Sequence, residues 1–136
     1  DIFDYLRTRI SGKIDFEFLR NQGNHNALIN APLFGWVLEN LVKNAADAMQ
    51  GEGKLSIEIG QDAAFVYIDV TDTGKGIAKV QQKTVFQPGF TTKKRGWGLG
   101  LSLTKRIIEQ YHEGKISVKK SEINKGTTFR ILLKGI

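Results

Sequence analysis

The sequence predicts an α+β domain with two layers, in which helices cover one face of a mixed sheet of about five strands. The chain has 136 residues, which suffices for one hydrophobic core and not for two. Five short segments alternate apolar and polar residues, as strands with one buried face do. Two longer segments repeat apolar residues at helical spacing. Their order among the strands predicts one sheet that is covered on one side.

The first half of the chain predicts a helix end, a strand and a long helix. Residues 1–12 place apolar side chains on one helical side and finish at a glycine, a typical helix stop. Residues 13–20 then alternate as a half-buried strand. After a polar loop rich in Asn and Gly, Pro32 stands where a helix can begin. That helix is predicted to run to about Gln50, ahead of a Gly-Glu-Gly turn.

The second half predicts four more strands around a long loop. Residues 72–98 are irregular and rich in Gly and Lys, and a loop of this length inside a compact domain usually serves a function. One of the strands, Phe65–Thr71, is dense in apolar and β-branched residues and is predicted to be central. The predicted strands and the one helix of this half are 55–59, 65–71, 99–112, 115–119 and 127–133.

Basic residues are concentrated around the long loop. The net charge of +6 makes nucleic acid the first partner class to weigh. From Thr73 to Ile108 there is no Asp or Glu, and a solvated basic face is the simplest interpretation of such a stretch. The glycines among the same residues instead favour a local field for one polyanion. The basic residues of the stretch are Lys75, Lys79, Lys83, Lys93, Lys94, Arg95, Lys105 and Arg106.

Composition excludes several other classes. The chain contains no cysteine, which rules out disulfides and thiolate metal sites. No apolar run reaches the roughly 20 residues of a membrane span. Because the chain begins with Asp1 and shows no secretory signal, we expect it to be a fragment of a longer protein.

The long predicted helix carries polar residues on the side opposite its apolar stripe. Asn40, Asn44 and Asp47 share that side at spacings i, i+4 and i+7. Asn is a poorer helix former than Lys or Glu, so its repetition favours a ligand-facing side over plain solvent. A side-chain amide offers a neutral oxygen ligand and two N–H donors, which suits a hard cation or a phosphate oxygen. The apolar stripe, predicted to lie in the core, is Phe34, Leu38, Leu41, Val42, Ala45 and Met49.

Two glycine-rich segments flank the basic loop. The first, DTGKGI (72–77), follows the central strand, where an acid beside glycines is by itself a common turn sequence. Its functional interpretation is that Asp72 accepts a hydrogen bond from an exocyclic amine while the glycines admit a flat ring. The second, GWGLGL (96–101), opens the last helix, where free N–H groups and the helix dipole favour a phosphate. This second segment is neither a Walker A loop nor a GxGxxG dinucleotide turn.

Together these motifs resemble those of the sensor histidine kinases. ENLVKNAADAM (39–49), DTGKGI (72–77), FQPGFTTKK (86–94), GWGLGL (96–101) and GTTF (126–129) are similar to that family's N, G1, F, G2 and G3 boxes, in the same order. The resemblance implies the Bergerat ATP-binding fold of the gyrase/Hsp90/MutL-like superfamily. It also implies that residues 13–136 are the catalytic ATP-binding domain and that residues 1–12 end a linker or a dimerisation hairpin.

The resemblance further implies a site for ATP and Mg²⁺. Asn44 would be the Mg²⁺ ligand, with phosphate oxygens and water completing the shell. Asp72 would bind the adenine amino group with the help of Thr127. The implied catalytic residues are Asn40, Asn44 and Lys93. The implied ATP-binding residues are Asn40, Lys43, Asn44, Asp72, Gly74, Gly76, Ile77, Thr91, Thr92, Lys93, Arg95, Gly96, Gly98, Leu99, Gly100, Leu101 and Thr127.

A lid over the triphosphate is also implied, formed by residues 78–98 and held to the domain by Phe86 and Phe90. Asn40 bears on the reaction beneath that lid. In hydrolysing relatives the equivalent position, four residues before the Mg²⁺ ligand, carries a Glu that activates water. An amide has no proton affinity to act as that base. We therefore expect ATP to be held and offered to an external nucleophile, because positioning and charge neutralisation supply most of the catalysis in phosphoryl transfer.

One position departs from the family pattern. Many histidine kinases carry Lys three residues after the Mg²⁺ ligand, where this chain has Asp47 as the hydrolysing branch does. Lys43, Lys93 and Arg95 are the candidates for the missing charge. The only histidines are His25, in a polar loop, and His112, at a helix end where surface histidines are common. Neither is expected to be the phosphoacceptor.

The phosphoacceptor histidine is therefore expected on a dimerisation domain of the same protein, which would form a homodimer, with a response regulator downstream. A cytoplasmic domain of a sensor protein, membrane-anchored or not, is the implied setting. Two alternatives lie within the superfamily: another ATPase, for which Asn40 is the wrong residue, and a serine kinase of the anti-sigma-factor type, which generally lacks the FxPGFTTK sequence. No nucleic-acid partner is expected, since such a module would interleave basic and aromatic residues.

Overall fold

The computed structural model describes residues 2–8, 12–21, 26–89 and 100–136. Two short 3-10 helices, Lys79–Gln81 and Thr84–Phe86, follow the third strand, and a π-helical turn, Ile107–Tyr111, continues the last α-helix. The main elements are α1 (Ile2–Thr8), β1 (Ile14–Arg20), α2 (Ala31–Ala48), β2 (Gly53–Asp62), β3 (Phe65–Asp72), α3 (Gly100–Arg106), β4 (Lys115–Glu122) and β5 (Gly126–Lys134).

The strands form one mixed sheet in the order β1-β2-β3-β5-β4. Only β1 and β2 are parallel, and the other three pairings are antiparallel. The predicted α+β fold with a five-stranded mixed sheet is therefore confirmed. The register pairs Asp72 with Thr127 and Thr127 with Ser121, beyond a bulge between Val118 and Lys120. The ends of β3 and β4 and the start of β5 thus meet at one edge of the sheet.

The core lies between the sheet and α2. The predicted apolar stripe of α2 is buried throughout, and Val37 joins it with no exposed surface. On β5 the buried residues alternate, with Phe129, Ile131 and Leu133 facing the helices. Since about 25 cal/mol is gained per Å² of buried apolar surface, this stripe is what holds the two layers together.

Both ends of α2 follow ordinary capping rules. The side chain of Asn30 accepts a hydrogen bond from the N–H of Leu33 (3.1 Å), and Pro32 lies in the first turn. The helix ends at Ala48, two residues before the predicted end, because Gln50 and Gly51 take positive φ values of 55° and 80°. An N-cap of this kind stabilises a helix by about 1 kcal/mol.

The last helix differs from the continuous segment that was predicted. It is α-helical only to Arg106 and then widens into the π-helical turn, and the N–H of Gly114 reaches back to the carbonyl of Ile108 (2.9 Å). His112 lies directly after this turn and is buried, so the expectation of a surface histidine is wrong. Its ring points into the protein, where Nε2 accepts a hydrogen bond from the N–H of Asn30 (3.0 Å).

The face of the sheet that points away from the helices is held by polar contacts. Asp69, on β3, is buried and accepts two hydrogen bonds from the Arg130 guanidinium, at 2.8 and 2.9 Å. Lys119 adds an ion pair at 3.3 Å, and the guanidinium lies 4.4 Å from the ring centre of Tyr67. Within the described ranges, no helix is long and apolar enough to cross a membrane.

Candidate functional site

Asp72 is the last residue of β3, and its carboxyl group is buried. Oδ1 accepts the N–H of Gly74 (2.8 Å), and the backbone N–H of Thr127 also donates to this carboxyl. Burial raises the pKa of the Asp72 carboxyl above its ordinary value, and the two backbone donors only partly oppose that rise. A buried acid with a raised pKa at the edge of a sheet is typical of a functional site.

The glycines after Asp72 let the chain pass between α2 and the β4–β5 hairpin. A Cβ on Gly74 would lie 2.6 Å from the backbone carbonyl of Ala48, and one on Gly76 would collide with the carbonyl of Glu122. Gly76 also has a φ of +76°, which other residues rarely adopt. Close backbone packing therefore accounts for both glycines. Their predicted role in admitting a flat ring stays a prediction.

Hydrogen bonds fix the same loop on both sides. On one side, the N–H of Lys75 donates to the carbonyl of Ala48 (3.0 Å), at the end of α2. On the other, the N–H of Ile77 donates to Oγ of Ser121 (2.7 Å), and the N–H of Asn124 donates to the Lys75 carbonyl (2.8 Å). Ile77 is partly buried and packs against the core. The loop is thus a rigid segment that joins the helix layer to the hairpin.

Ser121 was not among the predicted site residues. It stands opposite Thr127 in the β4–β5 pairing, and its hydroxyl also contacts the Thr127 hydroxyl (2.8 Å). Gly126 lies between the last two predicted strands, and counting outward from it in both directions would have brought Ser121 close to Thr127. The bulge between Val118 and Lys120 shifts the register of β4, however, and no feature of the sequence indicated that bulge.

The polar side of α2 is half-buried at Asn40 and Asn44 and exposed at Lys43 and Asp47. Asn44 lies one turn before Ala48, the residue against which Gly74 packs. Lys43 forms an i,i+4 ion pair with Glu39 (3.3 Å) on the surface. Asn44 is therefore one helical turn from the contact between α2 and the loop after β3.

Asn40 connects α2 to α3. Its Nδ2 donates to Oγ1 of Thr104 (3.0 Å), a residue with no exposed surface. A Cβ on Gly100, the first residue of α3, would lie 2.8 Å from Oδ1 of Asn40. Gly100 thus allows the amide of Asn40 to lie against the start of α3. Thr104 was also not among the predicted site residues, since its partner is distant in the sequence.

The described part of the predicted lid packs on the domain. Phe86 is buried, and its ring meets that of Phe129 edge-on at 6.0 Å between centres. Lys105, on α3, places Nζ 5.9 Å from the Phe86 ring centre. Gly100 and Leu101 begin α3, and Leu101 packs against the core. The following predicted residues lie outside the described residues: His25, Phe90, Thr91, Thr92, Lys93, Arg95, Gly96, Gly98 and Leu99.

A divalent cation at this site would find few protein ligands. Across the part of the chain that the structure describes, no three His, Cys, Asp or Glu side chains are grouped as metal ligands. The amide of Asn44 fits a cation such as Mg²⁺, which takes one or two protein oxygens and completes its octahedron with phosphate oxygens and water.

Comparisons with known proteins agree with this geometry. The model of the family described as histidine kinase-, DNA gyrase B-, and HSP90-like ATPase matches residues 30–135. The sensor histidine kinase ZraS of Escherichia coli (strain K12) is 46% identical over 97 residues, which are 71% of this chain and 20% of that protein. ZraS of Salmonella typhimurium is 41% identical over 124 residues, 90% of this chain and 26% of that protein. The chain thus spans about a quarter or less of these relatives.

Solved structures give matches over nearly the whole chain. The catalytic domain of the histidine kinase ThkA has a TM-score of 0.81 and 32% identity, covering 98% of this chain and 85% of that one. ThkA in complex with the response regulator protein TrrA matches with a TM-score of 0.82 and 29% identity, covering 99% of this chain and 38% of that one. The chain therefore belongs to the histidine kinase-, DNA gyrase B-, and HSP90-like ATPase family, as a catalytic ATP-binding domain of the histidine-kinase type.

Proposed function

We propose that this domain binds Mg-ATP and donates the γ-phosphoryl group to a histidine on a separate dimerisation domain, in two-component signal transduction. The observation that carries the proposal is the buried carboxyl group of Asp72 at the sheet edge, beside Thr127. The chain also has Asn40 at the position where hydrolysing relatives carry the Glu that activates water. Family membership implies the use of ATP. The choice of acceptor and the roles of individual residues are what we add.

Asp72 would recognise the base. A buried carboxylate is costly unless a donor meets it, and the amino group of adenine is such a donor. Gly74 and Thr127 already donate through their backbone N–H groups, which orient the carboxyl from one side. Ile77, held by Ser121, would line the base pocket with apolar surface.

Asn44 would hold Mg²⁺ through its amide oxygen, and the bound ion would neutralise the charge that develops on the phosphates. Lys43, Lys93, Arg95 and the amides at the start of α3 would contact the phosphate chain. The rigid loop after β3 supports this arrangement, since it fixes the end of α2 relative to the base site. Positioning of this kind supplies much of the catalysis in phosphoryl transfer.

Asn40 favours transfer over hydrolysis. Its amide cannot take a proton from water. Its Nδ2 donates to the buried hydroxyl of Thr104, so the side chain is occupied in joining α2 to α3. The water beside the γ-phosphate would therefore lack a base, and the phosphoryl group would await a better nucleophile. A neutral imidazole needs little base assistance.

The partners follow from the same reaction. The phosphoacceptor histidine would stand on a dimerisation domain of the same protein, and a response regulator would receive the phosphoryl group from it. The complex of the similar kinase ThkA with its response regulator supports the second partner.

The test is transfer in trans. The purified chain would be mixed with [γ-³²P]ATP, Mg²⁺ and a phosphoacceptor hairpin supplied as a separate polypeptide. We expect label on the hairpin that is stable to base and labile to acid, as phosphohistidine is, and little phosphate release without the hairpin. Rapid release of phosphate from the chain alone would place it in the hydrolytic branch. Acid-stable label on serine would favour a serine kinase.

An Asp72→Asn variant separates failure of binding from failure of transfer. We expect it to lose ATP affinity in calorimetry while keeping its circular dichroism spectrum. If the variant bound ATP as the wild type does, the assignment of Asp72 to the base would be wrong, whatever the acceptor.

A further inference from the structure

Three side chains stand in a row at the edge of the sheet where β3, β5 and β4 meet. The strand register pairs Asp72 with Thr127, and Thr127 with Ser121. Asp72 and Thr127 are each 5% exposed, and Ser121 is half-buried. Thr127 lies on the side of β5 that faces the helices, in alternation with Phe129 and Ile131. The row therefore lies between the sheet and the helices, as the candidate nucleotide site does.

The hydrogen bonds of Ser121 determine where its hydroxyl hydrogen goes. Oγ of Ser121 lies 2.7 Å from the nitrogen of Ile77, 3.1 Å from the carbonyl oxygen of Gly126 and 2.8 Å from Oγ1 of Thr127. The N–H of Ile77 can only donate, and the carbonyl of Gly126 can only accept. All three contacts can be hydrogen bonds at once only when the single hydrogen of Ser121 is directed to Gly126 and Thr127 donates its own hydrogen to Ser121.

This arrangement leaves Thr127 without a hydrogen for any ligand. Its hydroxyl has one hydrogen, which Ser121 accepts, so only its lone pairs remain. The ionised carboxylate of Asp72 likewise only accepts. Both buried side chains at this edge of the sheet can thus receive hydrogen bonds from a ligand and can give none.

We propose that Ser121 is a specificity-determining positioning residue, which turns the Thr127 hydroxyl so that the base site only accepts hydrogen bonds. The site then selects a purine with an amine at position 6 over one with a carbonyl at that position. The inference rests on the proposed function, since it assumes that the base of the nucleotide lies at Asp72 and Thr127. Ser121 would set this selectivity through Thr127, which must meet the 6-substituent directly, because a bridging water could turn either a hydrogen or a lone pair to the base.

The physical reason is the cost of facing acceptor against acceptor. A 6-carbonyl would add a third acceptor to a row that holds no side-chain donor, and a buried polar group without a partner accounts for most of the discrimination that such sites achieve. Replacing Ser121 by Ala would release the hydrogen of Thr127, which could then rotate toward the base. A carbonyl at position 6 would gain a donor, and an amine would lose an acceptor.

A purely structural role for Ser121 makes a different prediction. Ser121 also receives the N–H of Ile77 and so ties the loop after β3 to the hairpin. If that tie were its whole contribution, its loss would weaken the binding of all purine nucleotides by the same factor. The ratio of two affinities separates the two roles, whereas one affinity does not.

The test compares ATP with inosine triphosphate, which carries a carbonyl in place of the 6-amine and, unlike ATP, a hydrogen on N1. Because that hydrogen is common to all measurements with inosine triphosphate, the effect of Ser121 is taken from the change in the ratio of the two affinities and not from the ratio itself. Dissociation constants for both, with Mg²⁺ at pH 8, would be measured by calorimetry on the full chain and on its Ser121→Ala, Ser121→Cys and Ser121→Thr variants. We expect the wild type and Ser121→Thr to prefer ATP to the same degree. We expect the preference to fall by about tenfold in Ser121→Ala, the size of one hydrogen bond, and by less in Ser121→Cys, whose thiol is a weak acceptor.

A Thr127→Val background provides the control. If Ser121 acts through Thr127, adding Ser121→Ala to Thr127→Val leaves the ratio of the two affinities unchanged. An unaltered ratio of the two affinities in Ser121→Ala, whether both affinities fall equally or neither changes, would overturn the inference. Should Ser121→Ala fail to fold, an unaltered ratio in Ser121→Cys would do the same. A wild-type chain that binds neither nucleotide would instead refute the proposed function.

Discussion

The carboxyl group of Asp72 shows at the scale of one residue what a proposed ligand-binding position costs in stability. It is buried at the end of β3, and its pKa is raised by that burial in spite of two backbone donors. Folding therefore disfavours the ionised form of this carboxyl group relative to the neutral acid. Such a cost would be offset by a ligand that donates a hydrogen bond to the carboxylate. A binding role of this kind would explain why an Asp, a residue usually found at the surface, ends a strand of the core.

We expect this cost to appear as a pH dependence of stability. Because the folded pKa of Asp72 is raised above its unfolded value of about 3.9, folding takes up a proton in the interval between the two values. The free energy of unfolding that Asp72 contributes therefore rises as the pH falls through the folded pKa, and the gain is complete below the unfolded one. The measurement is the melting temperature without nucleotide, between pH 7 and pH 4.

The Asp72→Asn variant is the matched control, because every other carboxyl group is common to the two proteins. As the pH falls, the wild type should gain stability relative to the variant. A constant difference between the two melting temperatures would mean that folding leaves the pKa of the carboxyl unchanged, and a difference that moves against the wild type would mean that folding lowers it.

The sequence singled out those candidate site residues whose type is unusual for the helix or strand in which they lie. Asn40 and Asn44 are conspicuous because Asn is a poor choice for a helix. Asp72 is conspicuous because it follows a strand and precedes glycines. Ser121 and Thr104 are ordinary residues in a strand and a helix, and their meaning comes from partners 44 and 64 positions away. Sequence spacing carries no information on such pairs.

At the scale of elements, the accuracy of prediction followed the regularity of the hydrophobic pattern. The apolar stripe of α2 repeats at 3.6 residues per turn, so the helix and its buried face were predicted to within two residues at its end. The π-helical turn after α3 was not predicted. It is followed by His112, whose ring contacts the start of α2, and local sequence preferences carry no information on such a tertiary contact.

His112 also links elements, and its removal tests that link. With Nε2 accepting the N–H of Asn30, Nδ1 carries the hydrogen and donates to the carbonyl of Ile107 (3.1 Å). The ring also packs against Phe34, with 5.6 Å between centres. We expect His112→Phe, which keeps much of the packing and loses both hydrogen bonds, to lower the free energy of unfolding by about 2 kcal/mol.

Denaturant unfolding would measure this change, with Tyr111→Ala as the comparison. Tyr111 precedes His112 in the chain and is 65% exposed, so its truncation should change stability by no more than about 0.5 kcal/mol. Equal effects of the two substitutions would show that the hydrogen bonds of His112 contribute nothing beyond the local turn.

At the scale of the whole molecule, the candidate site is assembled from both layers. The proposed base site lies where β3, β5 and β4 meet, while Asn44 is on α2 and Gly100 begins α3. The α+β fold and the order of its elements were predictable, because hydrophobic patterns and glycine positions are local. The distance between these parts was not, because it depends on sheet order, in which β5 lies between β3 and β4. A ligand that contacts all of them should stabilise the domain as a unit.

We expect Mg-ATP to raise the melting temperature and Asn44 to account for the part that needs Mg²⁺. At a hundredfold excess over its dissociation constant, a ligand adds about 2.7 kcal/mol to the free energy of unfolding, a rise of roughly 10 °C for a domain of this size. ATP with EDTA should give a smaller rise, since the phosphates are then held without the ion. In Asn44→Ala the rises with Mg²⁺ and with EDTA should coincide.

The control is Asn21→Ala. Asn21 follows β1 and donates to the Tyr67 hydroxyl, far from the candidate site, so this variant should keep the difference seen in the wild type. If Asn44→Ala kept that difference too, Mg²⁺ would be held by other groups, and the α2 amide would have no part in binding it.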